Sequence, residues 1–167
     1  MRITFVLLSV ILLLIACQQE ASTLKQTLKT TDLEQEKAFL TDIKHPAGTI
    51  SDYPFLPYPA NLGVCNNNAS LEVLTLAAPL DSADQIAVYP IATLLLEEAG
   101  KERPIIIASP VDTTLQIINT VNYQQFLIQQ SGMRQVLQDW FLYEKGLGKV
   151  ELIDWKDERF AWKLVKN

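Results

Sequence analysis

Tyr58-Pro59-Ala60-Asn61-Leu62-Gly63-Val64-Cys65, followed by Asn66 to Ser70 and then by Leu71-Glu72-Val73-Leu74-Thr75-Leu76, is the stretch on which the reading of this chain turns. Pro46, Gly48, Pro54 and Pro57 upstream of it, with Pro59 inside it, break the chain into extended, turn-rich pieces. Leu71 to Leu76 then reads as a strand. Ile86 to Leu96 reads as another, bent at Pro90, and the apolar run Ile105 to Ala108 suits a buried strand. Between the last two, the polar stretch Glu97 to Arg103, with Gly100 inside it, reads as a hairpin loop. Downstream, Met133, Val136, Leu137, Trp140 and Phe141 fall three and four apart and make one apolar helix face. Ser131 is placed to cap that helix, and Gly146 and Gly148 stop it. Lys149 to Asp154 returns as a strand. A last short helix, Asp157 to Lys166, carries Phe160, Ala161, Leu164 and Val165 on one side. Several strands followed by helices predict an α+β domain.

The other end of the chain has a different character. Met1 and Arg2 are followed by Ile3 to Ile15, apolar apart from Thr4 and Ser9, and then by Leu14-Ile15-Ala16-Cys17. A positive start, a short apolar run and a small residue before a cut are the logic of a secretory signal. The run is too short to span a hydrocarbon core comfortably, which takes roughly 20 helical residues. Leu14 to Cys17 resembles the lipobox of bacterial lipoprotein precursors. The expectation is a signal peptide over residues 1–16, lipid on Cys17, a polar tether over 17–45 and a folded domain over 46–167. Lipid on Cys17 substitutes for a spanning helix, with the membrane as partner. Gln18, where Asp tends to mean inner-membrane retention in Gram-negative lipoproteins, points to the outer membrane of a bacterial envelope.

Composition narrows the partners. The 167-residue chain has a net charge of −5, and only one of its charged residues, Arg2, lies in the first sixteen. An acidic chain without a basic stripe argues against nucleic acid, and its composition gives no polybasic contribution to binding anionic lipid. A second copy or another protein remains open as partner. With Cys17 lipidated, Cys65 has no intrachain partner and reads as a small buried hydrophobe. His45 is the sole histidine, so a His–His or His–Cys metal cluster cannot form within one chain; it reads as solvated, in a loop before Pro46. Trp140, Phe141, Trp155 and Trp162 read as core.

Tyr58 to Gly63 resembles the Tyr-Pro-Ala-Asn-Tyr-Gly motif of the soluble family I inorganic pyrophosphatases, and further matches follow in the same order. Pro90-Ile91-Ala92 resembles that family's Arg-Pro-Ile-Gly, and Glu97 to Glu102 its Asp-Glu-Ala-Gly-Glu-Asp loop. Ile106 to Asp112 resembles Val-Ala-Val-Pro-Val-Asp. Trp140-Phe141-Leu142-Tyr143 with Gly148-Lys149 resembles its Phe-Phe-x-x-Tyr-Lys helix and following Gly-Lys. Similarity runs from about Tyr53 to Val165. It implies a small twisted, OB-like β-barrel flanked by two C-terminal helices. It also implies the chemistry of that family: Mg²⁺ ions gathered by carboxylates activate a water that splits pyrophosphate, while Lys, Arg and Tyr hold the phosphates.

The same resemblance exposes what has been replaced. Where the family has Asp-x-Asp-Pro-x-Asp, this chain has Asn67, Ala69, Ser70 and Glu72, and Leu62 stands for the second tyrosine of the motif. Glu144 takes the place of a phosphate-binding lysine, with Lys145 one position on. The two preceding strands that supply a Glu, a Lys-x-Glu pair and an Arg have no match between Cys17 and Tyr58; Lys44 and Asp52 are isolated candidates. Mg²⁺ needs hard oxygen ligands in an octahedron. The residual metal candidates are Glu72, Glu97, Glu98, Glu102 and Asn67; the phosphate candidates are Lys149, Lys145 and Tyr143, with Arg103 beside them. The leading expectation is a degenerate pyrophosphatase-like domain with a binding or interaction role. The alternatives are a working Mg²⁺-dependent diphosphatase and an unrelated structural lipoprotein.

Overall fold

The computed structural model describes residues 38–50 and 56–167. The expected signal peptide, Cys17 and the first part of the tether lie outside the described residues, as does Asp52. The domain contains β1 (Phe39–His45), β2 (Asn61–Cys65), β3 (Asn68–Thr75), β4 (Gln85–Glu98), β5 (Lys101–Pro110), α1 (Tyr123–Gln129), α2 (Ser131–Tyr143), β6 (Val150–Asp157) and α3 (Glu158–Lys166). Hydrogen-bonded neighbours run β1-β2-β3-β5-β4-β6, and β1 also pairs with β4. That extra pairing closes five strands into a ring, with β6 on the outside of β4. All pairs are antiparallel except β3 with β5. Closure removes the free edges of the ring, which an open sheet would leave exposed.

Alternation along the strands feeds two cores. Leu74 of β3 and Leu76 just past its end, Leu94 and Leu96 of β4, and Ile105 and Ile107 of β5 pack under the helices against Phe126, Leu137, Trp140, Phe141 and Trp155. The opposite rows build a second core from all five ring strands: Phe39, Cys65, Leu71, Val73, Val88, Ile106 and Ala108. Ala161 of α3 closes it, with half-buried Trp162, Leu164 and Val165. Cys65 is therefore the small buried hydrophobe expected of it.

Several boundaries differ from the sequence expectation. Phe39–His45, expected at the end of the tether, is a ring strand, and Ala38–Asn167 forms a compact unit. One strand does precede Tyr58, therefore, although its sequence does not match the family's. The hairpin loop expected over Glu97–Arg103 shrinks to Ala99 and Gly100, both at positive φ (52° and 75°), the pair a tight hairpin of this twist requires. The bend at Pro90 is present as a register shift between Pro90 and Ala92. Helix α1 was not anticipated. Asn122 starts it, its side chain accepting from the Gln125 amide, but Phe126 is the only residue the helix fully buries, so it shows no apolar stripe. Ser131 is the first residue of α2 rather than its cap; Gln130 stands there without a side-chain bond. Asp157 caps α3, accepting from the Phe160 amide. The domain therefore has three C-terminal helices rather than two.

The stretch from Tyr58 to Gly63 holds the ring's entrance together. Buried Tyr58 lies 5.1 Å from the Trp140 ring and is stacked 4.6 Å from His45. His45 is exposed as expected, but it ends a strand and lies flat on that ring. Asn61, fully buried, makes every hydrogen bond its amide allows. Its Oδ1 accepts from Ala47 and Leu80 (both 3.0 Å), and its Nδ2 donates to the carbonyls of Ala77 (3.2 Å) and Ala78 (3.0 Å). A buried amide with all partners ties the β1–β2 and β3–β4 loops to one point.

Candidate functional site

Three apolar rows of the main core end in charge. Along β3, the row that starts at Leu76 just past the strand and continues through Leu74 reaches Glu72. In β5 the row Ile107, Ile105 reaches Arg103. In β4 the row Leu94, Leu96 reaches Glu98. Because side chains repeat every second residue on a face, these three ends point to the same side, under the last turn of α2. Just past that turn, Glu144 is buried. Four charged groups therefore meet at the rim of the core, and Lys145 comes in from outside.

Arg103 is the centre of the cluster. Its Nε donates to Glu72 Oε2 at 2.7 Å and its Nη2 to Glu72 Oε1 at 2.9 Å, a two-pronged pair. Nη1 donates to Glu144 Oε1 and lies 3.4 Å from Glu98 Oε2. The guanidinium carbon sits 5.7 Å from the Phe141 ring centre. Lys145 Nζ donates to Glu98 Oε1 at 2.5 Å. Burial by itself disfavours the Arg103 charge. The hydrogen bonds and charge of Glu72, and then those of Glu144, outweigh it and hold the guanidinium protonated above its ordinary range. Burial pushes the Glu144 carboxyl up; Arg103 pulls it back and the Glu72 charge adds to the rise. The Lys145 hydrogen bond holds Glu98 below the usual carboxylate range.

The remaining sequence candidates are elsewhere. Glu97 turns to the opposite side from Glu98 and is exposed; it stands in register with exposed Glu102 on one side and exposed Glu151 on the other. Asn67 sits in the turn between β2 and β3 and lines a groove with Phe39, Leu40 and Trp162. It is five residues along the strand from Glu72, on the order of 15 Å away. Tyr143 ends α2 and is exposed. Lys145 and exposed Lys149 do come together. With Glu97, Glu98 and Glu151 they line an open groove of about 560 Å³ beside the β4–β5 turn. Lys149 makes no ion pair among the described residues. In the sequence Glu144 stands only as a replacement for a phosphate-binding lysine. Its hydrogen bond to Arg103 was missed, and the one available signal was that Glu72, Arg103 and Glu98 each end an alternating apolar row.

A divalent ion does not fit this donor set. Mg²⁺ requires near-octahedral oxygen coordination. Both oxygens of Glu72, both of Glu98 and one of Glu144 already face a cationic nitrogen. A guanidinium also repels a second cation at this range, on the order of 4 kcal/mol per pair of unit charges at an intermediate dielectric. Among the described residues no group of three or more His, Cys, Asp or Glu is placed to hold a metal ion.

A closed ring of five strands with an outer strand and C-terminal helices defines the class: this is the fold of the soluble inorganic pyrophosphatases. Within it, the chain superposes on an inorganic phosphatase from Anaplasma phagocytophilum at a TM-score of 0.65 and 22% identity, over 76% of this chain and 88% of that one. It superposes on the inorganic pyrophosphatase of Thermus thermophilus at 0.63 and 18%, over 77% and 87%. For an inorganic pyrophosphatase from Neisseria gonorrhoeae the values are 0.62 and 16%, over 77% and 87%. No family model matches the sequence, and no curated protein matches it. The likeness is one of fold, carried by a chain whose sequence has diverged far from these neighbours.

Proposed function

We propose that this chain is a lipid-anchored bacterial envelope protein whose pyrophosphatase-fold domain has given up hydrolysis and serves as a binding or interaction module. The observation that carries the reading is the Arg103 guanidinium at the centre of Glu72, Glu98 and Glu144. A carboxylate cluster of this fold can gather metal only if its oxygens are free, and here they are engaged by the chain's own cations. Fold alone does not fix activity; the site must supply it. Loss of even one electrostatic stabiliser can cost ~10²–10³ in rate. Chain from Gln18 onward, incubated with pyrophosphate and Mg²⁺, Mn²⁺ or Zn²⁺, is expected to release phosphate no faster than buffer. Metal-dependent turnover abolished by Glu72→Ala would establish the alternative, an active diphosphatase. What favours that alternative is the groove in which Lys145 converges with Lys149, the latter without an ion pair among the described residues, where an anion could be held.

Support for the anchor is the order of residues: an apolar run, then Leu14-Ile15-Ala16-Cys17, then Gln18, which favours the outer membrane. No helix among the described residues is long and apolar enough to cross a membrane. Cys17→Ser is expected to move the protein from the membrane to the soluble fraction of cells; unchanged fractionation would refute lipidation.

A further inference from the structure

The C-terminal helix separates charge from the rest of the domain. Arg159, Lys163 and Lys166 of α3 are all exposed. At 100° per residue they fall within about 60° of arc and form one stripe. Glu158 is the helix's only acid, and its carboxylate is turned inward to accept from the Tyr123 amide at 3.0 Å. Asp157 is likewise engaged, as the cap. At the other end of β6 the acids Glu97, Glu98, Glu102 and Glu151 outnumber the cations Lys101, Lys145 and Lys149. Val150 of that strand pairs with Glu98, and the exposed carboxylates of Glu97, Glu102 and Glu151 stand side by side there. β6 runs seven residues from that end to α3, on the order of 20 Å. Among the described residues, α3 thus presents a stripe of cations with no exposed acid of its own beside it.

That stripe lies where the chain enters the domain. Ala38, Phe39 and Leu40 share a groove with Trp162, Val165 and Lys166. The Phe39 and Trp162 rings meet edge to face at 5.8 Å, and the Lys166 ammonium lies 5.9 Å from the centre of the Trp162 ring. Half-buried Trp162 and Leu40, 43% exposed, complete a face of cations, an indole and an aliphatic side chain. An indole flanked by cations suits the boundary between water and lipid headgroups. Residues 17–37 could extend to about 70 Å, so the tether permits the domain to touch the membrane without forcing it there.

We infer that α3 is the membrane-facing surface of the domain: Arg159, Lys163 and Lys166 engage anionic lipid headgroups, orienting the Glu97–Glu102 hairpin and the Lys149 groove away from the bilayer. The inference rests on the anchored reading proposed above. Composition of the whole chain hides the stripe, because a net charge does not report which face a cation stands on. Three cations near an anionic surface favour it by roughly a hundredfold, an effect that salt removes.

The test supplies the tether chemically, so that the two readings can fail separately. Chain from Cys17 onward is coupled through that thiol to a maleimide lipid; Cys65 is buried and does not compete. Amide hydrogen exchange is compared on vesicles of phosphatidylcholine alone and with a third phosphatidylglycerol. The expected result is several-fold slower exchange across Glu158–Lys166 on the anionic vesicles only. It should be reversed by 0.5 M NaCl and absent in R159E/K163E/K166E, with circular dichroism confirming that the variant is folded. Equal exchange on the two vesicles, persistence in salt, or retention in the folded triple variant would overturn the orientation. Fractionation of Cys17→Ser decides the anchor independently.

Discussion

Replacement of Arg103 by Ala is expected to destabilise the domain by about 3–5 kcal/mol, the range for removing one partner of a buried ion pair and leaving the other charged. The Arg103 side chain is 16% exposed and that of Glu144 9%, so water can do little for the carboxylates left behind. Three acids would then face one another with only Lys145 nearby. Arg103→Met separates this from lost packing: it keeps an apolar stem beside Phe141 and should recover little. Arg103→Lys should recover part, because it keeps the charge but not the planar fork that grips both oxygens of Glu72. The deficit should also depend on pH. In the variant, burial and the Glu72 charge still raise the Glu144 pKa, and the Arg103 contribution that lowered it is gone. A carboxyl whose folded pKa lies above its unfolded value costs stability when ionised, and that cost disappears as pH falls through the folded pKa. The Ala variant should therefore regain ground relative to wild type on acidification from neutral pH. Glu98 acts in the opposite sense in the wild type: held low by Lys145, it stabilises above its unfolded pKa, and that contribution is lost as pH falls through its depressed folded value. Urea unfolding of the three variants across pH 4–8 measures all of this. A deficit below 1 kcal/mol at pH 7 would mean that the cluster is solvated and that its carboxylates are available after all.

That cluster was the part of the molecule least legible in the sequence. Glu72 and Arg103 are 31 residues apart, and Arg103 and Glu144 are 41 apart. Their meeting depends on the parallel register of β3 with β5 and on where α2 ends, neither of which periodicity reveals. The acids that stand together in sequence, Glu97 and Glu98, are parted by the two-residue repeat of a strand and take different roles. What could be read was what local pattern determines: the apolar run Ile105–Ala108, the bend at Pro90, and the apolar face of α2 through Met133, Leu137, Trp140 and Phe141, although Val136, expected on that face, turns out to solvent. Strand β1 escaped because buried Thr41 interrupts its apolar row between Phe39 and Ile43. That hydroxyl is satisfied by donating to the Val64 carbonyl across the ring seam. Order and spacing of the matched motifs led to the fold where none of them alone would have. Their substituted positions led to the site, although Asn67, matched by order to a metal-binding aspartate, stands in a turn remote from Glu72.

The largest effect expected of any single added methyl group is at Gly63. An ideal Cβ there would lie 2.2 Å from the Asp42 carbonyl oxygen, 2.9 Å from its carbon and 3.1 Å from the Ile43 Cα. All three are backbone atoms of β1, so no side chain can swing aside. The contact comes from the fold's closure. Gly63 pairs with Ile43 in the antiparallel seam, next to the register shift between Ile43 and His45, and the β1 backbone passes close to the Gly63 Cα there. β1 also bonds to β4, so moving it away from β2 strains both seams that close the ring. Overpacking in a core typically costs about 1–3 kcal/mol when side chains can adjust. Displacing a doubly paired strand falls at or beyond the upper end of that range, and Gly63→Ala is expected to lose at least 3 kcal/mol or to fail to fold. Gly132→Ala is the control. It lies in α2 with open space around the added atom and should change stability by no more than about 1 kcal/mol, in the stabilising direction, since Ala is the better helix former. Comparing the urea midpoints of the two variants isolates the steric effect from any general response to losing a glycine. Were Gly63→Ala as stable as Gly132→Ala, β1 would not lie against β2 as described, and the ring would be open at the seam where the chain enters the domain.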